Sequence, residues 1–96
     1  MSERIAVIGA GVMGSGIAQV LAVAGHEVVC QDIDEDVLIA ARESVATGRF
    51  GVQGSVERGK LSADDAEAAL ARLTFTADLA AAVGDADAVV EAIPER

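Results

Sequence analysis

Residues 5–34, IAVIGAGVMGSGIAQVLAVAGHEVVCQDID, decide the fold. Residues 5–8 are Ile-Ala-Val-Ile, a continuous apolar run ended by glycine, which is the pattern of a strand covered on both faces. Residues 9–14, GAGVMG, make a turn, after which Ile17, Ala18, Leu21 and Ala22 recur at helical spacing as far as Gly25, a helix C-cap. Glu27-Val28-Val29-Cys30-Gln31 reads as a second strand, closed by Asp32. Strand, tight turn, helix, strand is the opening of a parallel α/β sheet.

Gly9, Gly11 and Gly14 form a G-x-G-x-x-G pattern, with a strand before it, a helix after it and an acid eighteen residues beyond Gly14. Each glycine then has a physical task. Gly9 permits the tight turn, Gly11 lets a pyrophosphate approach the backbone, and Gly14 lets the helix pack closely on the sheet. Free N–H groups at the helix start hold phosphate without any Lys or Arg, so an acidic protein can bind a dianionic dinucleotide there. Val12 and Met13 complete the turn, and Met13 is expected to pack near the cofactor. Asp32 stands where a carboxylate accepts hydrogen bonds from the adenosine ribose hydroxyls. A 2′-phosphate there would meet a like charge at about 4 Å, worth up to about 4 kcal/mol at an effective dielectric near 20. No Lys or Arg falls within the nine residues after Asp32 to offset it, which favours NAD over NADP. The plainer reading is that Asp32 and Asp34 only cap the next helix.

Beyond Asp34 the pattern predicts a helix opening with Glu35 and Asp36, its apolar face made by Val37, Leu38, Ala41 and Val45. It runs on to Arg58 with a break near residues 48–54, and Gly59-Lys60 stops it. Ser62 then opens a helix through Ala66, Ala69, Leu70 and Leu73. Residues 73–76 are a short strand, 78–83 a short helix and 87–92 a fourth strand, followed by Pro94. The expected fold is a Rossmann-type doubly wound parallel sheet, truncated after about four strands, with a helical hairpin inserted after the second. Because the chain stops four residues past the fourth strand, residues 1–96 are expected to be the N-terminal part of a dinucleotide-binding domain in a larger protein.

Composition narrows the function further. Seven Lys and Arg against sixteen Asp and Glu give a net charge of −9, which argues against nucleic acid or an anionic membrane as partner. One cysteine, Cys30, allows no internal disulfide and no Cys-based zinc site. It is expected to be buried packing in its strand. His26 is the sole histidine, read as a surface turn residue and not a catalytic one. Asp64, Asp65 and Glu67 read as a solvated helix face, and no metal site is expected. Residues 5–25 carry no charge, and Ala22-Val23-Ala24 imitates a cleavage site, yet four glycines interrupt the stretch and Glu3 balances Arg4. A cytoplasmic protein is the expectation.

The chain resembles the NAD-binding domain of the 3-hydroxyacyl-CoA dehydrogenases. The resemblance rests on residues 5–34, on ERGKLS at 57–62 and on DADAVVEAIPE at 85–95, and within these on G-x-M-G-x-G-I-A-Q and E-A-I-x-E. It implies reversible oxidation of the 3-hydroxyl of an acyl-CoA to a ketone, with hydride passing to NAD. It matches Gly9, Gly11 and Gly14 to the pyrophosphate turn, Asp32 to the ribose acid, and Ala92 and Glu95 to residues lining the cofactor beyond the fourth strand. The family's proton-accepting histidine and orienting glutamate follow that segment, so no catalytic residue is assigned in residues 1–96. Its C-terminal helical domain, the usual homodimer interface, also lies outside them. A 3-hydroxyisobutyrate or 6-phosphogluconate type dehydrogenase is the neighbouring reading. Those carry an Asn-Leu pair on the first helix where this chain has Gln19-Val20-Leu21, and they lack the helical excursion. A non-catalytic nucleotide-binding module is the alternative outside enzymes.

Overall fold

The computed structural model describes residues 3–48 and 51–93. Strand β1 (Arg4–Ile8) leads into helix α1 (Val12–Val23) and strand β2 (Glu27–Gln31). Three helices follow, α2 (Glu35–Thr47), α3 (Val52–Glu57) and α4 (Ala63–Ala71), before β3 (Leu73–Thr76), α5 (Leu79–Gly84) and β4 (Ala88–Glu91). The four strands form one parallel sheet in the order β3-β2-β1-β4. The chain therefore steps outward from β1 to β3 and then returns to the opposite flank of β1. That reversal opens a crevice at the carboxyl ends of β1 and β4, the switch point where open α/β sheets bind ligands. Ile8 pairs with both Gln31 and Glu91, so β1, β2 and β4 end level and their loops share one rim.

The apolar run at residues 5–8 is buried throughout because helices cover both sides of it. Ile5 and Val7 join Val28, Cys30, Ala18, Ala22, Leu38, Ala41 and Ala69 in a core under α1, α2 and α4. Ala6 and Ile8 face the other way, toward Ala82 of α5. Removing the fully buried Leu38 side chain should cost about 2–5 kcal/mol, since it seats α2 on the sheet.

The helical excursion after β2 has the expected break, with α2 ending at Thr47 and α3 starting again at Val52. Strand β4 is shorter by one residue at each end than the expected 87–92, α5 is shifted by one residue from the expected 78–83, and two further boundaries differ from the sequence reading. Helix α1 begins at Val12 and not after Gly14, so Gly14 lies in the first helical turn. Leu73 belongs to β3 and not to the preceding helix, because Arg72 ends α4 as its C-cap. His26 occupies the expected turn but is half-buried, and its Nδ1 is enclosed without a hydrogen-bond partner. Cys30 is buried as expected, while Asp64, Asp65 and Glu67 are exposed on α4. Among the described residues there is no metal-holding cluster of His, Cys, Asp and Glu. No described helix is long and apolar enough to cross a membrane; residues 5–25 are divided between β1, the glycine turn and α1.

Candidate cofactor site

The glycine turn is held between the ends of two neighbouring strands. Gly9 N–H donates to the Gln31 carbonyl at 2.7 Å, and Cys30 Sγ lies 3.8 Å from the Gly9 carbonyl oxygen. On the other side Ala92 N–H donates to the Ile8 carbonyl at 2.8 Å, which carries the β4 pairing up to the turn. Gly9 has φ +105°, and a Cβ there would stand 3.0 Å from the backbone of Ala92. A Cβ on Gly14 would come within 1.8 Å of the Gly9 carbonyl oxygen. The first turn of α1 is thus pressed against backbone that allows no side chain at position 14.

Gly11 is different. A Cβ on it would meet nothing within 4 Å, so no contact inside the chain requires glycine there. It is the N-cap of α1 and, having no side chain, makes no capping bond. The first helical hydrogen bond runs from Ser15 N–H to the Gly11 carbonyl at 2.9 Å. The N–H groups of Val12, Met13 and Gly14 therefore point out of the helix end without acceptors in it. The first turn also carries no acid, in a chain with sixteen Asp and Glu. Together with the helix dipole, this is a receptor for negative charge.

Asp32, one residue past β2, faces this turn. Its Oδ2 accepts from Ala10 N–H and its Oδ1 from Asp34 N–H, each at 3.0 Å. A carboxylate offers about four acceptor positions, so each oxygen keeps one for an incoming hydroxyl. The first cation after it, Arg42, is engaged elsewhere. Its guanidinium donates to the Phe75 carbonyl at 3.3 Å and lies 5.6 Å from the Phe75 ring centroid. Burial, and secondarily the charge of Asp32, pushes the Cys30 thiol up to about 11. It stays protonated beneath the turn, where it can donate to the Gly9 carbonyl.

Seven of the eight predicted site residues come together on this rim: Gly9, Gly11, Val12, Met13, Gly14, Asp32 and Ala92. Glu95 lies outside the described residues. Ala92 is 7% exposed and forms the floor beneath Gly9, leaving the outward surface to Ile93. The sequence reading missed two residues. Ile33 and Ile93 each follow a site residue directly and, with Val12 and Met13, are 63–96% exposed. Four bare apolar side chains around a polar turn are the surface that flat rings cover. The signal was available: an isoleucine directly after a rim residue has no core to enter. A cleft of about 240 Å³ continues from Gly11 and Val12 between α1 and α2, lined also by Ser15, Val37 and Ala41. A cleft of about 360 Å³ beside Arg42 and Phe75 shares no residue with the glycine turn.

Parallel α/β domains that leave their first helix open at the switch point bind dinucleotides, and this chain is of that class. Residues 4–96 match the family described as 3-hydroxyacyl-CoA dehydrogenase, NAD binding domain, and the chain belongs to it. It is 40% identical over 94 residues to 3-hydroxyadipyl-CoA dehydrogenase of Escherichia coli, a match covering 98% of this chain and 19% of that protein. It is 38% identical over 96 residues to the mitochondrial hydroxyacyl-coenzyme A dehydrogenase of Rattus norvegicus, covering 98% of this chain and 31% of the relative. A crystal structure of 3-hydroxybutyryl-CoA dehydrogenase from Escherichia coli K12 superposes with a TM-score of 0.89 at 40% identity. That superposition covers 100% of this chain and 20% of that one. The chain thus spans between 19% and 31% of the length of these two relatives, and its cofactor is NAD, as in the family.

Proposed function

We propose that the chain is the NAD-binding part of an enzyme that oxidises the 3-hydroxyl of an acyl-CoA to a ketone. The match of residues 4–96 to the dehydrogenase family carries this reading, and the open helix end agrees with it. Bound NAD supplies the hydride acceptor. The N–H groups of Val12, Met13 and Gly14 donate to the pyrophosphate, Gly11 leaves it room, and Gly9 shapes the turn. Asp32 accepts from the adenosine ribose hydroxyls and disfavours a 2′-phosphate. Ala92 supports the turn, Glu95 lines the cofactor past β4, and Ile33 and Ile93 shield its rings. The proton-accepting histidine, its orienting glutamate and a helical dimerisation domain belong, on this reading, to sequence following residue 96. The working unit is then a homodimer acting on acyl-CoA in the cytoplasm.

The test is a titration of the full chain with NADH and NADPH, following cofactor fluorescence; residues 1–96 contain no Trp or Tyr to obscure it. Saturable binding with NADH preferred is the expected result, with NAD-dependent oxidation of 3-hydroxybutyryl-CoA in the full-length protein. Equal affinities would remove Asp32 as the selector. Absence of binding by a folded chain would remove the whole reading.

A further inference from the structure

The carboxylate of Asp32 is already bonded on both oxygens before any ligand arrives. Oδ2 holds Ala10 N–H, 22 residues earlier in the turn, and Oδ1 holds Asp34 N–H at the start of α2. Ala10 is buried, so its N–H would be enclosed without an acceptor if Asp32 turned away, and a buried unpaired N–H is costly. Nor can Ala10 find a strand partner. Gly9 N–H takes the Gln31 carbonyl, the last of β2, while β4 pairing runs through Ala92 N–H to the Ile8 carbonyl. The side chain of Asp32 continues the β2 ladder by one rung after its backbone has turned off. We infer that Asp32 is a positioning residue for the pyrophosphate turn, fixing Ala10, and with it the helix end at Gly11 and Val12, whether or not it touches a ribose.

The inference rests on the NAD reading for its binding consequence but not for its structural one. If Asp32 acts only through the ribose, an NADH analogue lacking both adenosine ribose hydroxyls gains nothing from it, and Asp32→Ala leaves the affinity of that analogue unchanged. If Asp32 also fixes the turn, the same substitution weakens the analogue too, by roughly threefold to tenfold. Asp32→Asn retains one acceptor oxygen and should recover part of that loss, whereas a ribose contact alone predicts no recovery with the analogue. Amide hydrogen exchange in the ligand-free chain gives the second readout. Exchange at Ala10 should accelerate by about tenfold in Asp32→Ala, with amides in the sheet centre unchanged. An unaltered analogue affinity, or an Ala10 amide that exchanges as in the wild type, overturns the inference. Failure of the wild-type chain to bind NADH would instead overturn the cofactor reading, and the exchange result would still decide the role of Asp32.

Discussion

The N-termini of α1 and α2 rise from the same rim of the sheet, one strand apart, and are built in opposite ways. At α2 the Asp34 carboxylate accepts from Asp36 N–H at 2.9 Å, and Glu35 and Asp36 place negative charge in the first turn. At α1 the cap is Gly11, and the first turn holds no acid. Helices α4 and α5 are likewise capped by side chains, Ser62 and Asp78, whereas the short α3 starts at a bare glycine, Gly51, packed against the last turns of α2. A helix start capped by its own side chain adds stability to the fold. One left bare gives that stabilisation up and keeps its donors for something outside the chain. Of the two bare starts, that of α3 is closed by the backbone of Ser44 and Val45, and that of α1 opens at the carboxyl ends of the strands; bareness and position together mark the helix that binds.

That comparison can be broken most severely at Gly14. Gly14→Ala drives a methyl into the Gly9 carbonyl and should destabilise the chain by about 3 kcal/mol while weakening NADH roughly a hundredfold. Thermal melting and cofactor titration read the two losses; an unchanged melting temperature would contradict the close packing. Gly11→Asp turns the first helix start into a copy of the second. The backbone at Gly11 is extended at φ −67°, a conformation that aspartate adopts. Stability should then hold or rise by up to about 1 kcal/mol, while NADH affinity falls by roughly a hundredfold or more from charge repulsion. Gly11→Ser, which caps without charge, separates the bulk of the side chain from its charge. The converse substitution, Asp34→Ala, should cost about 1 kcal/mol in denaturant unfolding and leave NADH affinity within about twofold, because the Asp34 N–H bonded to Asp32 is retained.

The mildest probe is pH. The Cys30 thiol is pushed up from 9.0 to about 11 by burial. The folded state therefore holds its proton more tightly than the unfolded chain. The stability it contributes is complete below pH 9 and fades as pH rises toward 11. Cys30→Ala should flatten this alkaline decline in urea titrations. In the native chain at pH 8, iodoacetamide should label Cys30 far more slowly than after unfolding.

The first half of the fold was legible because its rules are local. An apolar run, a glycine turn, a helical stripe and a second apolar run each depend on neighbours a few residues away, and β1, β2 and the body of α1 fall within a residue of where residues 5–31 place them. Asp34 and Ser62 were readable as caps for the same reason. The start of α1 was not, because its N-cap is Gly11, which has no capping side chain to mark it. Likewise Ala92 reads as a lining residue in sequence and proves to be a floor, since only the pairing of β4 with β1 puts it beneath Gly9. The bond from Asp32 to Ala10 joins two loops, and no periodicity encodes it.

Arg72 makes another such long connection. From the junction of α4 and β3 its guanidinium donates twice to the Ala22 carbonyl, at 3.0 and 2.7 Å, near the far end of α1. A cation thus neutralises the negative end of the helix whose positive end is left open, and the two residues are 50 apart in sequence. The excursion through α2, α3 and α4 is thereby tied off at its base like a drawstring. Changes of length or sequence around α3 can be absorbed within that closed loop without tugging on the phosphate-binding end. What is modular in an engineering sense is the tip at α3, since α2 and α4 are built into the core beside α1 through Leu38, Ala41 and Ala69.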